Sequence, residues 1–318
     1  MVEPRGRASA VVCLLALGLP AAHGLAAQAP VIRRALTPLH APARASYAPG
    51  AAMMLPSVQR SGLSAMGKVG GRKVSMLLPT QTVVALGLNS GLAAFGKLQG
   101  QKVLTPAGLV HAWALGVILW ACLGWRGWST GVLYLVGGSV VTKIKKAKKE
   151  AMGIAEGRGG MRGPENVWGS AATSAVCALA TMQWPARATL LRVGFLAAFA
   201  TKLSDTCASE IGKAYGTKTY MITTLRECKP GDEGGVSLEG TAAGVVGSIA
   251  LTLWGGLCGL VSSAAILPCL LAAFIATNIE SVIGATAQDK YNWLTNEVVN
   301  FIMTVIGAAA AMGIAMVL

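Results

Sequence analysis

Two lysines and two carboxylates lie close together where an apolar run ends, at Lys202, Asp205, Glu210 and Lys213. An ideal helix places five polar residues within about 100° of arc, namely Lys202, Asp205, Thr206, Ser209 and Lys213, whereas Glu210 lies about 140° from Asp205. Carboxylates beside phosphate groups are typical ligands of Mg²⁺, and lysines neutralise phosphate charge. Because acidic groups at the end of a membrane segment are costly, this pattern favours a catalytic site over an ordinary solvated helix face.

A glycine-rich segment from Glu156 to Asn166 contains Arg158 and Arg162 and ends in an acid and an amide. Glycines let backbone N–H groups approach an anion, and arginines bind phosphate oxygens through paired donors. The segment therefore predicts a phosphate-binding loop that includes Asn166. Its spacing matches neither the P-loop nor the GxGxxG motif, so a flexible connector is an equally good interpretation.

A third polar segment contains Asp232, a further candidate metal ligand, and Ser237, a candidate substrate-binding residue. Ser237 precedes an apolar run, so capping of the following helix is the alternative to a binding role. Near the end of the chain Asp289, Asn292, Asn296 and Asn300 recur at helical spacing, within about 80° of arc. We expect this stripe to face a polar cavity, in which Asn296 and Asn300 would bind substrate. Hydrogen bonding between neighbouring helices is the alternative.

The elements that position these residues are predicted to be transmembrane helices. The chain has 318 residues, 53% hydrophobic and 13% charged, against about 25% charged in soluble domains. The expected fold is an all-α, polytopic bundle of seven or eight spans with polar catalytic loops and no β domain. The predicted spans cover approximately 76–96, 106–124, 128–143, 167–184, 187–203, 239–257, 258–277 and 297–318.

The N-terminal part is predicted to be a targeting sequence. Residues 1–24 combine basic residues, a short apolar run and a small-residue cleavage site, as in a signal peptide. Residues 25–72 are basic and free of acids, as in a transit peptide, and residues 75–318 form a single transmembrane domain. A signal peptide followed by a transit-like segment is similar to the bipartite presequences of algae with secondary plastids, which implies a plastid membrane; an ordinary secretory leader is the alternative. The basic charge therefore does not indicate nucleic-acid binding.

Residues 80–318 resemble the plant phytyl-phosphate kinases and the wider DUF92/transmembrane-protein-19-like family. The motifs that carry the resemblance are Gln101-Lys102-Val103-Leu104-Thr105, the Glu156–Asn166 loop, Ser204-Asp205-Thr206 with Ser209-Glu210-Ile211-Gly212, Gly234-Gly235-Val236-Ser237 with Gly240-Thr241, and Trp293-Leu294-Thr295-Asn296-Glu297-Val298-Val299-Asn300. The segment Ser237-Leu238-Glu239-Gly240-Thr241 is also similar to an element of CTP-dependent polyprenol and phytol kinases. The family more usually has Asp at the position of Glu297.

The resemblance implies that phytyl monophosphate, or another prenyl phosphate, is converted to its diphosphate by CTP or ATP, in the supply of tocopherol and phylloquinone. The expected cofactor is Mg²⁺, held by Asp205 with Glu210 or Asp232. The repulsion between the two negatively charged substrates, the prenyl phosphate and the nucleotide, would be offset by four basic residues, Arg158, Arg162, Lys202 and Lys213. The expected partners are the bilayer, the prenyl phosphate and the nucleotide.

Two other classes of function stay open at this point. A transporter or flippase of a lipid or anionic substrate would place the asparagine stripe along a path near the membrane centre and show internal repeats. A scaffold protein would not bring its polar segments together. Convergence of Asp205, Glu210, Asp232 and Asn296 at one end of the bundle would favour the kinase.

Overall fold

Helices account for most of the chain in the computed structural model, which describes residues 80–98 and 103–318. The predicted leader segments, 1–24 and 25–72, lie outside these residues. The described residues form α1 (Thr80–Leu98), α2 (Pro106–Lys143), α3 (Lys146–Ala151), α4 (Pro164–Gln183), α5 (Ala188–Tyr215), α6 (Leu238–Leu257), α7 (Ile266–Thr286) and α8 (Asn296–Val317). The all-α membrane fold predicted from the composition is confirmed.

The α2 helix is a hairpin of two arms that turn at Gly124, where φ is +63°. Gly108 on the first arm contacts the carbonyl oxygen of Arg162, and Gly138 on the second arm contacts its guanidinium. These glycines would be about 45 Å apart in a straight helix, which no single side chain can bridge. The arms, 106–123 and 125–143, therefore run antiparallel, close to the predicted spans 106–124 and 128–143.

The helices alternate in direction, so that the long connections gather at one end of the bundle. This polar end is formed by the segments 144–163, 216–237 and 287–295. The opposite end has only short turns, at Gly124, 184–187 and 258–265. Two of these turns are joined by Arg126, which donates to the carbonyl oxygen of Gly259 at 2.9 Å. All three polar segments of the sequence therefore lie at the same end of the bundle.

Among the residues that the structure describes, four helical segments are long and apolar enough to cross a membrane, namely Pro106–Lys143, which contains both arms of the α2 hairpin, Leu238–Leu257, Ser263–Lys290 and Asn296–Val317. The predicted total of seven or eight spans stays a prediction. Two predicted boundaries differ from the structure. The α5 helix continues to Tyr215 rather than ending near 203, and the span predicted at 258–277 is displaced, because a turn at 258–265 separates α6 from α7.

The α5 helix is the centre of the bundle and packs against α4, α6, α7 and α8. Its residues Phe195, Leu196 and Phe199 are fully buried. Small residues bring neighbouring helices close to its polar half: Gly307 of α8 packs on Thr201, and Gly244 of α6 packs on Ser204. Such contacts let backbones approach closely in a membrane bundle, and they fix the positions of the polar residues that follow on α5.

A small antiparallel sheet, not predicted from the sequence, folds the segment between α5 and α6 over the polar end. Its central strand β1 (Thr219–Met221) pairs with β2 (Glu227–Cys228) and β3 (Gly235–Val236). Strands of two or three residues are too short to show alternation in a sequence. Gly234, with φ of +80°, packs against Ser281 and Ala285 of α7, which holds the turn before β3 on the end of that helix.

Candidate functional site at the polar end

A buried polar unit joins α5 to α8 near the polar end. The ammonium group of Lys202 donates to Oδ2 of Asp205 at 2.6 Å and to the amide oxygen of Asn300 at 2.9 Å. All three residues are buried. Because a charged pair within an apolar bundle is costly unless its hydrogen bonds are satisfied, the Asn300 contact stabilises Lys202 by giving its ammonium group a second acceptor. The sequence-predicted residues Lys202, Asp205 and Asn300 are therefore brought together.

Two further carboxylates lie within electrostatic range of Asp205. Glu280 comes from α7 and Glu233 from the turn that precedes β3. Partial burial raises the pKa of the Glu233 carboxyl above its ordinary value; nearby Lys213 opposes this shift, while Asp289 and Asp205 reinforce it. Mutual repulsion among these carboxylates makes the cluster a favourable location for a cation.

Arg162 is fixed beside this cluster by both its backbone and its side chain. Its backbone pairs with Val103 and Thr105, in two hydrogen bonds of 3.0 Å. Its guanidinium donates to the hydroxyl of Tyr134 at 3.2 Å and lies over the ring of that tyrosine. Within the part of the chain that the structure describes, Arg162 forms no ion pair with a carboxylate. It is thus a positioned cation whose charge is available to an anion.

Arg158 and Asn166 belong to a second hydrogen-bonded group at the start of α4. Arg158 forms an ion pair with Glu165 at 2.5 Å and donates to the amide oxygen of Asn166 at 2.6 Å. The same oxygen accepts from the backbone N–H of Gly163 at 2.9 Å, and the amide nitrogen of Asn166 donates to Glu297 at 3.1 Å. Asn166 therefore caps α4 and links it to α8, which also explains how the longer acid at Glu297 is accommodated.

Glu210 faces away from Asp205, toward the lysine-rich segment after α2. It is ion-paired with Lys149, and both side chains are only 1% exposed. Lys149 also donates to the carbonyl oxygen of Thr142 at 2.8 Å. Lys213 lies 4.0 Å from Glu210 and 3.8 Å from Glu156. This arrangement anchors α3 to α5, and a metal-binding role for Glu210 stays a prediction.

Three other predicted site residues satisfy local backbone groups. Ser237 caps α6 by accepting from the N–H of Gly240 at 3.1 Å. Asp232 accepts from the N–H of Lys229 at 2.9 Å, and exposed Ser209 donates to the backbone of its own helix at 3.0 Å. These contacts are compatible with the capping alternative for Ser237. Binding roles for the three residues stay predictions.

The predicted asparagine stripe is wrong as a single helical face. Asp289 lies in a 3₁₀ turn (Gln288–Lys290), Asn292 lies in the following loop, and α8 begins only at Asn296. Thr295 caps that helix in an extended conformation, which breaks the helical spacing between Asn292 and Asn296. Asn296 is exposed on the first turn, whereas Asn300 points into the bundle.

The described residues contain no group of three or more His, Cys, Asp or Glu side chains already arranged around a metal position. Mg²⁺ often uses only one or two protein carboxylates, with waters and substrate phosphates completing its shell. Asp205 is hydrogen-bonded through Oδ2 to Lys202, and Glu233 and Glu280 lie within its electrostatic range. Oxygen ligands of this type fit Mg²⁺ better than a softer metal.

Sequence reasoning missed several residues of this site. Tyr134 lies in an apolar run with no neighbouring motif, and Lys149 lies in a run of lysines in which its spacing does not distinguish it from the others. Glu280 was recognisable, because a carboxylate at the end of an apolar segment is itself a functional signal that could join it to the polar stripe. Glu233 follows the candidate Asp232 directly, and only the conformation of the turn distinguishes the two.

Comparisons with known proteins identify the family of the chain. The family model described as integral membrane protein DUF92 matches residues 75–308. An uncharacterized membrane protein of Synechocystis is 57% identical over 231 residues, 72% of this chain and 90% of the relative. An uncharacterized membrane protein of Methanocaldococcus jannaschii is 29% identical over 204 residues, 63% of this chain and 81% of the relative.

Protein VTE6, chloroplastic, of Arabidopsis thaliana is 43% identical over 213 residues, 65% of this chain and 64% of the relative, so the match spans less than two thirds of the plant protein. No solved structure matches the chain. The family match covers the whole bundle from before α1 to within α8. The chain therefore belongs to the DUF92 family of integral membrane proteins.

Proposed function

We propose that this protein is a membrane-bound prenyl-phosphate kinase that transfers a phosphoryl group from CTP or ATP to phytyl monophosphate. The observation that carries the proposal is the convergence at one end of the bundle of a positioned cation, Arg162, with the Lys202–Asp205 pair and Asn300. The resemblance to phytyl-phosphate kinases and the similarity to the chloroplastic plant relative support it.

The reaction requires little acid–base chemistry from the protein. An oxygen of the monophosphate attacks the terminal phosphorus of the nucleotide, a new P–O–P bond forms, and the nucleoside diphosphate leaves. A phosphate monoester is largely ionised near pH 7, because its second pKa is about 6, so no strong general base is needed. The main task of the enzyme is to hold two polyanions in line and to stabilise the charge on the transferred group.

The acceptor phosphate would bind between Arg162 and Lys202. Tyr134 lies between the two cations, since its hydroxyl accepts from Arg162 and its ring packs against Phe199, about one turn before Lys202 on α5. Asn300 and Asp205 orient the Lys202 ammonium group through hydrogen bonds. Preorganised donors of this kind favour the transferring group without a reorganisation cost during the reaction.

The nucleotide phosphates would bind on the other side of Asp205, below the turn that carries Glu233. Asp205, with Glu233 or Glu280, would hold Mg²⁺, which supplies charge neutralisation of the donor phosphates. Lys213 is within electrostatic range of Glu233 and would contact the same phosphates. Arg158 is exposed, and it would contact the nucleotide by exchanging its ion pair with Glu165 for a phosphate oxygen.

We also propose that the protein is a plastid membrane protein whose residues 1–72 are a cleaved bipartite presequence. The product would then be available to tocopherol and phylloquinone synthesis. Expression of the full chain with a C-terminal fluorescent tag in an alga with a secondary plastid tests this location. Plastid fluorescence and loss of residues 1–72 from the mature protein are expected, whereas secretion would overturn the proposal.

Phosphoryl transfer is tested with the full chain in expressed membranes, phytyl monophosphate and radiolabelled CTP or ATP, with Mg²⁺ or with EDTA. Labelled phytyl diphosphate that depends on nucleotide and Mg²⁺ is the expected product. Membranes lacking the protein provide the background. Folded protein that binds phytyl monophosphate but forms no diphosphate with either nucleotide would overturn the kinase proposal.

A further inference from the structure

A large cavity lies between α1 and the α2 hairpin and reaches α4 and α5. Its volume is about 910 Å³, near the upper limit of about 1,000 Å³ that is usual for small-molecule sites. Most of its lining is apolar, including Leu109, Leu115 and Leu119 on the first arm of the hairpin and Val132 and Leu135 on the second. A cavity of this size and lining is suited to a hydrocarbon chain.

The cavity walls carry apolar side chains that no part of the described protein covers. Leu92 on α1 is 46% exposed, Val110 on the first arm of α2 is 63% exposed, and Val136 on the second arm is 53% exposed. All three line the cavity. Three separate helical segments thus leave apolar surface uncovered toward the same space.

The polar lining of the cavity is concentrated at the polar end of the bundle. Arg162 and Asn166 lie there with Lys143, while Leu119 and Trp128 line the opposite end. From Thr105 to Leu119 the first arm of the hairpin rises about 21 Å, a length comparable to an extended C20 isoprenoid chain. Asn89, the main polar residue of the deep part, is satisfied internally, because its amide oxygen accepts from Trp128 at 3.1 Å.

We propose that this cavity binds the isoprenoid chain of the substrate, with the phosphate head group on Arg162 at its mouth. The identity of the ligand rests on the proposed function, whereas the location of the chain rests on the cavity itself. Arg162 is the link between the two, since it lines the cavity and donates to Tyr134, whose ring packs against Phe199 about one turn before Lys202. A chain in the cavity would therefore deliver its phosphate to the Lys202–Asp205 pair.

Photoaffinity labelling tests the location of the chain. The probe is a C20 isoprenyl monophosphate with a diazirine at the distal end of its chain, added to membranes that contain the full-length protein. We expect labelled peptides from the deep lining, 115–119 and 128–132, and loss of the label when unlabelled phytyl monophosphate is added. Label confined to the exposed sides of α6–α8, or label that phytyl monophosphate does not compete away, would indicate bulk lipid contact and overturn the proposal.

Cavity-filling variants provide a second test. Val136→Trp fills the cavity from one arm, and Val110→Trp fills it from the other. Each is expected to reduce the labelling and to raise KM for phytyl monophosphate about tenfold, while KM for geranyl monophosphate, whose chain is half as long, changes little. The matched control is Val246→Trp on α6, where the native side chain is 65% exposed outside the cavity.

These outcomes separate the cavity proposal from the kinase proposal. If unlabelled phytyl monophosphate competes away the labelling of the cavity but no phosphoryl transfer is measured, the lipid site is supported and the kinase proposal is overturned. Thermal melting in detergent checks that both tryptophan variants are folded. If they transfer the phosphoryl group with unchanged KM values, the kinase proposal is supported and the cavity is overturned as the site of the chain.

Discussion

Lys202 on α5 and Asn300 on α8 are joined by a hydrogen bond of 2.9 Å across 98 residues of sequence. The bond holds the Lys202 ammonium group between an amide and the carboxylate of Asp205, in a region with little access to water. Two hydrogen bonds to acceptors on separate helices hold this buried charge in position, because moving it would leave polar groups unpaired. The bond between Lys202 and Asn300 therefore defines the centre of the proposed site.

Asp205→Asn is expected to lower kcat for phosphoryl transfer by about 10²-fold or more, because the amide keeps a hydrogen-bond acceptor for Lys202 but loses the charge required for Mg²⁺. Membrane insertion should be unchanged. The measurement is product formation by purified protein at saturating nucleotide. Glu150→Gln removes an exposed carboxylate from α3 and is the control. Undiminished turnover in Asp205→Asn would rule out the metal assignment.

Arg162→Lys is expected to raise KM for phytyl monophosphate by roughly tenfold, with a smaller effect on KM for the nucleotide. Lysine keeps the charge but lacks the planar, paired donors that contact both Tyr134 and a phosphate. Steady-state kinetics with each substrate varied in turn measures the two effects. Arg187→Lys, at the opposite end of the bundle, should leave both constants unchanged. An equal rise in both KM values would place Arg162 with the nucleotide instead.

Lys149→Met is expected to destabilise the bundle by about 3–5 kcal/mol, because it leaves Glu210 buried without its counter-ion. The double variant Lys149→Met, Glu210→Leu should regain most of this stability, since an apolar pair of similar volume often replaces a buried ion pair at little cost. Thermal melting in detergent measures both variants. Glu150→Gln, which breaks the exposed pair with Lys146, is expected to change stability by less than about 1 kcal/mol.

The same double variant decides the role of Glu210. If Glu210 only anchors α3, phosphoryl transfer should return together with stability. A stable but inactive double variant would support the metal-binding role predicted from the sequence. Activity and melting temperature are therefore measured on the same preparation.

Gly307→Ala is expected to destabilise the bundle by about 1–3 kcal/mol, because its added methyl group would overlap the side chain of Thr201 on α5. Gly313→Ala on the same helix is the matched control, since no atom lies within 4 Å of the position of its added methyl group. Thermal melting of both variants measures the difference. Equal melting temperatures would contradict the close packing of α5 on α8.

The sequence by itself determined the membrane class, the approximate helices and the residues most important to the proposed site. Composition was sufficient to predict the membrane class, because a chain with only 13% charged residues has too few of them to form the surface of a soluble protein. Lys202 and Asp205 were recognisable because helical spacing places residues three apart on one face. Arg162 was recognisable because an arginine among glycines is suited to phosphate.

Only the tertiary structure decided which of these residues meet. Helical spacing is a local property, so it predicted correctly that Asp205 and Glu210 face different directions but could not show that their partners are Asn300 and Lys149. It also failed for the asparagine stripe, because a turn and a cap interrupt the helix before Asn296. The partners of a buried charge are set by the packing of distant helices, and the cavity beside Arg162 is set by space that those helices leave unfilled. Neither property is encoded in the spacing of residues along one segment.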